Sequence, residues 1–396
     1  MLIEIILFLL LGIFAGTITG LIPGIHINLI GALVVALSLK FYFFENIYLI
    51  TFVTAMAITH TFLDFVPSIF LGCPDTDTEL SILPGHRLLK SGLGYSAIVL
   101  TAYGSLAAIF LLLLITPLSI KLTPLIYLKI SKIIPFILIL VSGILIFLEQ
   151  KKFTALFIFT LTGILGFIVL KTDFNQPLFP LLTGLFGAST LIKSIKSKTQ
   201  IPKQILIKPK LKSFKPFFGA LIASPLCSFL PGLGSGQAAV IGNLLTFEKN
   251  NENSFLVLLG ATNTLVMGFS FISLYAISKT RTGAALAVQE IVGSLNFNEI
   301  ILILGVILIS GLIAFYLTLI FAKIFSTNIS KLNYSILSYI TLTILILIVF
   351  FVSGIIGLLV LIASTLTGIY CISFKVRRTH MMGCLLIPTI LLYFGF

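Results

Sequence analysis

The chain has 396 residues, 58% of them hydrophobic and 9% charged, with a mean hydropathy of +1.20. Soluble domains carry roughly 25% charged residues, so a soluble enzyme or binding module is excluded and a polytopic membrane protein is implied. The net charge of +13 does not point to nucleic acid, because the basic residues sit in short loops between apolar runs, where they set orientation.

Apolar runs predict membrane segments near 3–22, 27–44, 48–71, 95–117, 133–149, 153–170 and 177–192, then 217–230, 235–247, 254–277, 299–322, 333–351, 353–374 and 380–395. The start, Met1 to Ile6, has no basic n-region and no small-residue cleavage site, and reads as the beginning of the first membrane segment. That segment breaks at Gly20-Leu21-Ile22-Pro23-Gly24-Ile25-His26-Ile27-Asn28, and a second break reads Phe229-Leu230-Pro231-Gly232-Leu233-Gly234-Ser235-Gly236-Gln237. Pro removes a backbone donor and Gly tolerates non-helical dihedrals, so a helix stops at each. In hydrocarbon such a break is tolerated only where protein buries it or a wet cavity adjoins it. Two breaks, one in each half, point to the substrate site of a secondary transporter, with kinks that merely aid packing as the alternative.

Between the breaks lie the other polar residues of interest. His60 and Asp64 are four apart, on one helical face, and form a candidate ion-coupling pair or a structural hydrogen bond. The loop 72–94 carries Asp75, Asp77, Glu79, His86 and Arg87. It reads as a gating loop, a plain solvated loop or, less readily, a cation site, since it lacks the ligand count of an EF-hand. Cys73, Cys227, Cys371 and Cys384 have no metal-ligand spacing, and neither a metal site nor a cofactor is expected.

The linker 193–216 holds eight lysines and no acid, which places it in the cytoplasm. A patch against anionic lipid on that face leaves the orientation unchanged. Counting outward puts Lys151, Lys152, Lys323, Lys331, Lys375, Arg377 and Arg378 inside as well; Lys121, Lys129 and Lys132 fall outside, against the trend.

Pro23-Gly24 aligns with Pro231-Gly232, and Thr59-His60-Thr61 aligns with Thr262-Asn263-Thr264, at offsets of 208 and 203 residues. The predicted organisation is a repeat at 1–117, intervening helices at 118–192, the basic linker at 193–216, a second repeat at 217–322 and C-terminal helices at 323–396. Loops 72–94 and 278–298 then lie on opposite faces, so the fold class is all-α with two inverted-topology repeats and broken or re-entrant helices at the Pro-Gly motifs. The half-helices after each break would point N–H groups and a positive dipole end at the gap, which suits an anion. The candidate substrate-binding residues are Gly24, His26 and Asn28 in the first half, and Gly232, Gly234, Ser235, Gly236, Gln237 and Asn263 in the second.

On the stretches Gly16–Asn28, Thr59–Gly94 and Phe229–Gly242, the sequence resembles the TctA family, also called DUF112, the large permease subunit of tripartite tricarboxylate transporters, and its archaeal branch above all. It departs from the bacterial pattern at His26 and Asn28, where that motif is richer in Gly and Pro. The resemblance implies a carboxylate importer driven by an ion gradient, working with a small four-span membrane subunit and an extracytoplasmic solute-binding protein.

The expected function is a secondary-active permease of the cell membrane that imports a small organic anion, such as a di- or tricarboxylate, with a proton or sodium ion. No nucleophile elbow, Walker loop or zincin motif is present, and no enzyme activity is expected. Two alternatives stand beside it: a polyprenyl-phosphate translocase, and a membrane-embedded enzyme or assembly factor using His60 and Asp64. Expected partners are the anion, a coupling cation and the bilayer, with a homodimer among the assemblies allowed and no nucleic acid.

Overall fold

The computed structural model describes residues 2–22, 45–71, 78–130, 133–147, 149–197, 201–211, 213–230, 234–246, 251–331 and 334–395. Among these, all regular structure is helical. The first half contains α1 (Leu2–Leu21), α2 (Asn46–Leu63), α3 (Phe65–Leu71), α4 (Ile82–Lys90) and α5 (Gly94–Ile130). Next come α6 (Ile134–Phe147), α7 (Lys152–Leu170), α8 (Leu178–Leu182), a π-helical turn at Thr183–Ala188 and α9 (Ser189–Ser197). The second half contains α10 (Lys215–Phe229), α11 (Ser235–Thr246), α12 (Glu252–Ile277), α13 (Gly283–Val292) and α14 (Phe297–Asn328), followed by α15 (Tyr334–Ser373) and α16 (Gly383–Tyr393). Among the described residues seven stretches are long and apolar enough to cross a bilayer: α1, the joined α2–α3, α5, α7, α12, α14 and most of α15. The protein is an all-helical, multi-pass membrane protein.

One boundary differs from the sequence expectation, and one expected break is seen within a single long element. The segment expected at 95–117 continues through Pro117 and Pro124 to Ile130, a helix of 37 residues. At 1.5 Å per residue it is about 55 Å long, well beyond the roughly 30 Å of hydrocarbon core. Lys121 and Lys129 therefore lie within this long helix and not in a loop after it. The segments expected at 333–351 and 353–374 both form, as the two arms of α15, which meet at a kink at Gly354 with φ 65° and ψ −160°. That positive φ lies outside the helical region and favours glycine, so the helix is broken there.

The centre of the molecule is the pair α2–α3 and α12. Within their apolar windows 89% and 94% of residues are buried, against 28–39% for α1, α7, α14 and α15. α5 packs on α12 and α14 on α2, while α1 lies along α2 and α10 along α12. The short helices cross over in the same way, α4 against α12 and α13 against α2. The two halves thus present their elements in one order, with central spans of 26 residues each.

Close approach depends on small residues, as packing between membrane helices generally does. A Cβ on Gly104 would collide with the Val257 carbonyl, and one on Gly260 with the Thr101 carbonyl. Ser105 Oγ donates to the Gly260 carbonyl at 3.0 Å across the same seam. Gly12, Gly16 and Gly20, one turn apart on α1, let that helix lie against Phe52, Met56 and Leu63.

The lysine-rich linker is pinned to the first half. Ile205 N–H donates to the Gly92 carbonyl at 2.7 Å and Ser96 Oγ to the Ile207 carbonyl at 2.6 Å. Gln204 Oε1 accepts from Gly94 N–H at 2.8 Å, and its Nε2 donates to the Leu89 carbonyl at 3.0 Å.

Candidate functional site

The polar side chains of the central spans converge where α2 gives way to α3. Asp64 forms the turn between these helices. Its Oδ2 accepts from Asn263 Nδ2 on α12 at 2.8 Å, and the same amide also reaches the Thr61 carbonyl at 3.2 Å. Thr61 Oγ1 and Thr264 Oγ1 share a hydrogen bond of 3.3 Å. His60 Nδ1 bonds the Thr19 hydroxyl of α1 at 3.1 Å. Asp64, His60 and Asn263 are each at most 4% exposed.

His60 and Asp64, expected as a pair on one helical face, thus reach out to different helices: the imidazole to α1, the carboxylate to α12. A carboxylate at this depth is costly unless donors surround it, and Asn263 supplies one from the opposite half. The chain also spends local donors here. Ser68 Oγ donates to the Asp64 carbonyl at 2.6 Å and bonds Thr78 Oγ1 at 2.6 Å, tying α3 to the chain leading into α4.

Of the second break, Gly234, Ser235, Gly236 and Gln237 are described, at the start of α11. Gln237 Oε1 accepts from Gly234 N–H at 2.6 Å, half of a capping box, so this side chain fixes the entry of the helix. Ser235 and Gln237 are buried. α11 lies along α12, with Gly242 packed against Gly219 and Leu258. Ser228, just before the break, bonds Ser273 at 3.0 Å. Gly24, His26, Asn28 and Gly232 lie outside the described residues, as do Asp75 and Asp77 and both prolines of the motifs, Pro23 and Pro231. The last glycine of α1, Gly20, sits against Leu63 and the backbone of His60 and Asp64, so the chain enters the first motif beside the polar cluster.

α4 carries His86 and Arg87. Arg87 pairs with Glu252, the first residue of α12, at 2.5 Å. His86 is held in a different environment: burial, and then the nearby charges of Lys90 and Arg378, push its imidazole down to about 4. It is therefore neutral at physiological pH. Arg378, itself pulled down to about 10 by burial, donates to Thr190 Oγ1 at 2.7 Å. Glu149 meets His380 at 3.2 Å and Arg377 at 3.6 Å. These bonds join the intervening helices to the C-terminal segment. Among the described residues no group of three or more His, Cys, Asp or Glu could hold a metal ion.

Sequence reasoning passed over Thr19 and Glu252. Thr19 lies between Gly16 and Gly20 on the face of α1 that packs against α2, and that spacing was its signal. Glu252 looked like an ordinary acidic residue at a helix start.

The family profile described as the tripartite tricarboxylate transporter TctA family matches residues 6–383. The chain belongs to the TctA family. An uncharacterized protein of Methanocaldococcus jannaschii is 35% identical over 400 residues, covering 98% of each chain. No solved structure matches. A TctA chain is a membrane transport permease; Asp64 lies in the stretch Thr59–Gly94 that carries the resemblance, and Asn263 in the triplet Thr262–Thr264 of the repeat alignment.

Proposed function

We propose that this TctA-family chain is a secondary-active permease that moves a small organic anion, a di- or tricarboxylate, with a proton or sodium ion. The observation that carries the reading is the bond between Asp64 and Asn263, a buried carboxylate of one half held by an amide of the other. Its surroundings support two inverted repeats. Thr61 and Thr264, equivalent residues at the offset of 203, meet each other, and contact between equivalents is what a two-fold axis produces. Arg87, which follows the end of α3, meets the beginning of α12, so the two central spans run in opposite directions.

In this reading the anion docks at the starts of the two half-helices, on the backbone donors of Gly24–Asn28 and Gly232–Gln237. The coupling ion acts at Asp64, assisted by His60. Protonating the carboxylate, or seating a cation on it, changes the bond to Asn263, and a differential interaction of that kind is what lets an ion bias one conformation over another. Arg87 and His86 stand near the cytoplasmic mouth beside the basic linker. The family's small membrane subunit and solute-binding protein would supply the anion from outside.

The test is uptake of labelled citrate and succinate into vesicles holding the purified chain, under imposed proton or sodium gradients. Asp64→Asn preserves shape and should abolish gradient-driven accumulation while leaving anion binding. Gly234→Val and Gly236→Val should abolish binding at normal protein levels, and His60→Gln should shift the pH profile. Concentrative uptake by the Asp64→Asn protein at the parent rate would overturn the coupling role.

A further inference from the structure

The basic linker is more than a topological signal. From Ile201 to Leu211 it is a strap without regular secondary structure, held by the four hydrogen bonds at Gly92, Gly94, Leu89 and Ser96 described above. What it displays outward is mixed. Lys203, Lys208, Lys210 and Lys215 are exposed, and between them stand Ile205, Leu206, Ile207, Leu211 and Phe214, all exposed as well. Phe214 is 74% exposed, and Phe218 follows one turn later on α10 at 66%. A strap in water would gain nothing from presenting bulky apolar groups on a backbone held this firmly.

We propose that this strap docks on the anionic headgroups of the bilayer that the chain spans. Lysine stems reach along apolar surface while the ammonium groups sit among phosphates, and the interleaved side chains enter the boundary of the acyl layer. No acid lies between residues 193 and 216 to neutralise the lysines. Each lysine at such a surface is worth about a fivefold preference for anionic lipid, and several together recruit it. The docking has a mechanical reach. The strap's anchors are the end of α4, which carries Arg87 to Glu252, and the start of α5, so headgroup composition acts on the segment that joins the two central spans. Docking of this kind is independent of the transport reading and needs no substrate.

The chain has no tryptophan, so Leu206→Trp gives a single indole on the strap. The full-length variant is reconstituted in phosphatidylcholine vesicles containing about one-third phosphatidylglycerol, with brominated acyl chains on one lipid or the other. Quenching of the strap indole should be at least about threefold greater with brominated phosphatidylglycerol at equal mole fraction, and high salt should reduce the difference. Lys203→Gln, Lys208→Gln and Lys210→Gln together should remove it. Leu114→Trp, on the exposed face of α5 at 80% exposure, is the control and should respond equally to both lipids. A strap indole quenched by aqueous acrylamide and untouched by either brominated lipid would overturn the proposal and favour a soluble partner. Equal quenching by both lipids, unchanged in the triple variant, would also overturn it, by removing the anionic preference.

Discussion

α12 and α15 are both long apolar helices, yet 94% of the window in α12 is buried and only 33% of that in α15. The more buried of the two is the more polar: α12 carries Asn263, flanked by the buried Thr262 and Thr264, and Gly260, whereas α15 turns Leu347, Phe351, Ile355 and Leu359 outward. A soluble protein would distribute these residues the other way round. In a bilayer the surrounding solvent is itself apolar, so hydrophobic burial drives nothing and apolar surface marks contact with lipid. Close packing and hydrogen bonding hold the interior, and polar or small residues mark it.

The comparison is broken most forcefully at the interior seam. Gly260→Val places a branched side chain against the Thr101 carbonyl, and overpacking of this kind costs about 1–3 kcal/mol or more because backbone must move. The expected result is little monodisperse protein on size exclusion in detergent. Gly305→Val, where a Cβ meets nothing within 4 Å, should leave the elution profile intact.

Next in size is Asn263→Ala. It removes one donor to the Asp64 carboxylate and should destabilise by about 1–3 kcal/mol in detergent-solubilised thermal melts. The Asp64→Asn, Asn263→Ala double variant should recover part of that loss, since an uncharged amide tolerates the missing donor better. Full additivity would mean that the two side chains do not act on each other.

A smaller effect comes from His86. Its folded pKa lies near 4, below the 6.5 of an unfolded histidine. Between those values the unfolded chain binds a proton that the folded chain does not, so the contribution to stability is intact above pH 6.5 and is lost as pH falls toward 4. Melting temperature should decline across that window, and His86→Gln should flatten the decline.

Smallest of all is Phe351→Ala on α15. The side chain is 80% exposed, and its removal should change stability in detergent by no more than about 0.5 kcal/mol. A large loss there would mean that α15 has a protein neighbour in the assembled transporter.

Much of this was legible in the residues. Apolar runs marked nearly every long helix, because a span must be continuous to satisfy its own backbone. They misjudged extents where local cues conflict with packing. Pro117 and Lys121 look like the end of a helix, yet α5 continues, whereas the break expected between 351 and 353 is present as the kink at Gly354. At the candidate site, Asp64 and Asn263 stood out as polar residues in apolar surroundings. Their pairing did not, because i, i+4 spacing directed attention to His60, and contact between residues 199 apart follows only from how the halves cross. Thr19 stayed hidden because a threonine in a membrane helix ordinarily satisfies its hydroxyl on its own backbone, as it also does here with Gly16.

The glycine seam between α5 and α12 also sets the mechanics of the molecule. Thr101 and Gly104 touch Gly260 and Val257 at the level of the backbone, so the two helices share one register. Slipping by a single turn would bring Leu256 or Thr264 to the place of Gly260, and neither fits beneath the Thr101 carbonyl. A sliding motion along the helix axes must therefore first prise the pair apart. The seam thus locks the register of α5 on α12 and resists sliding between them.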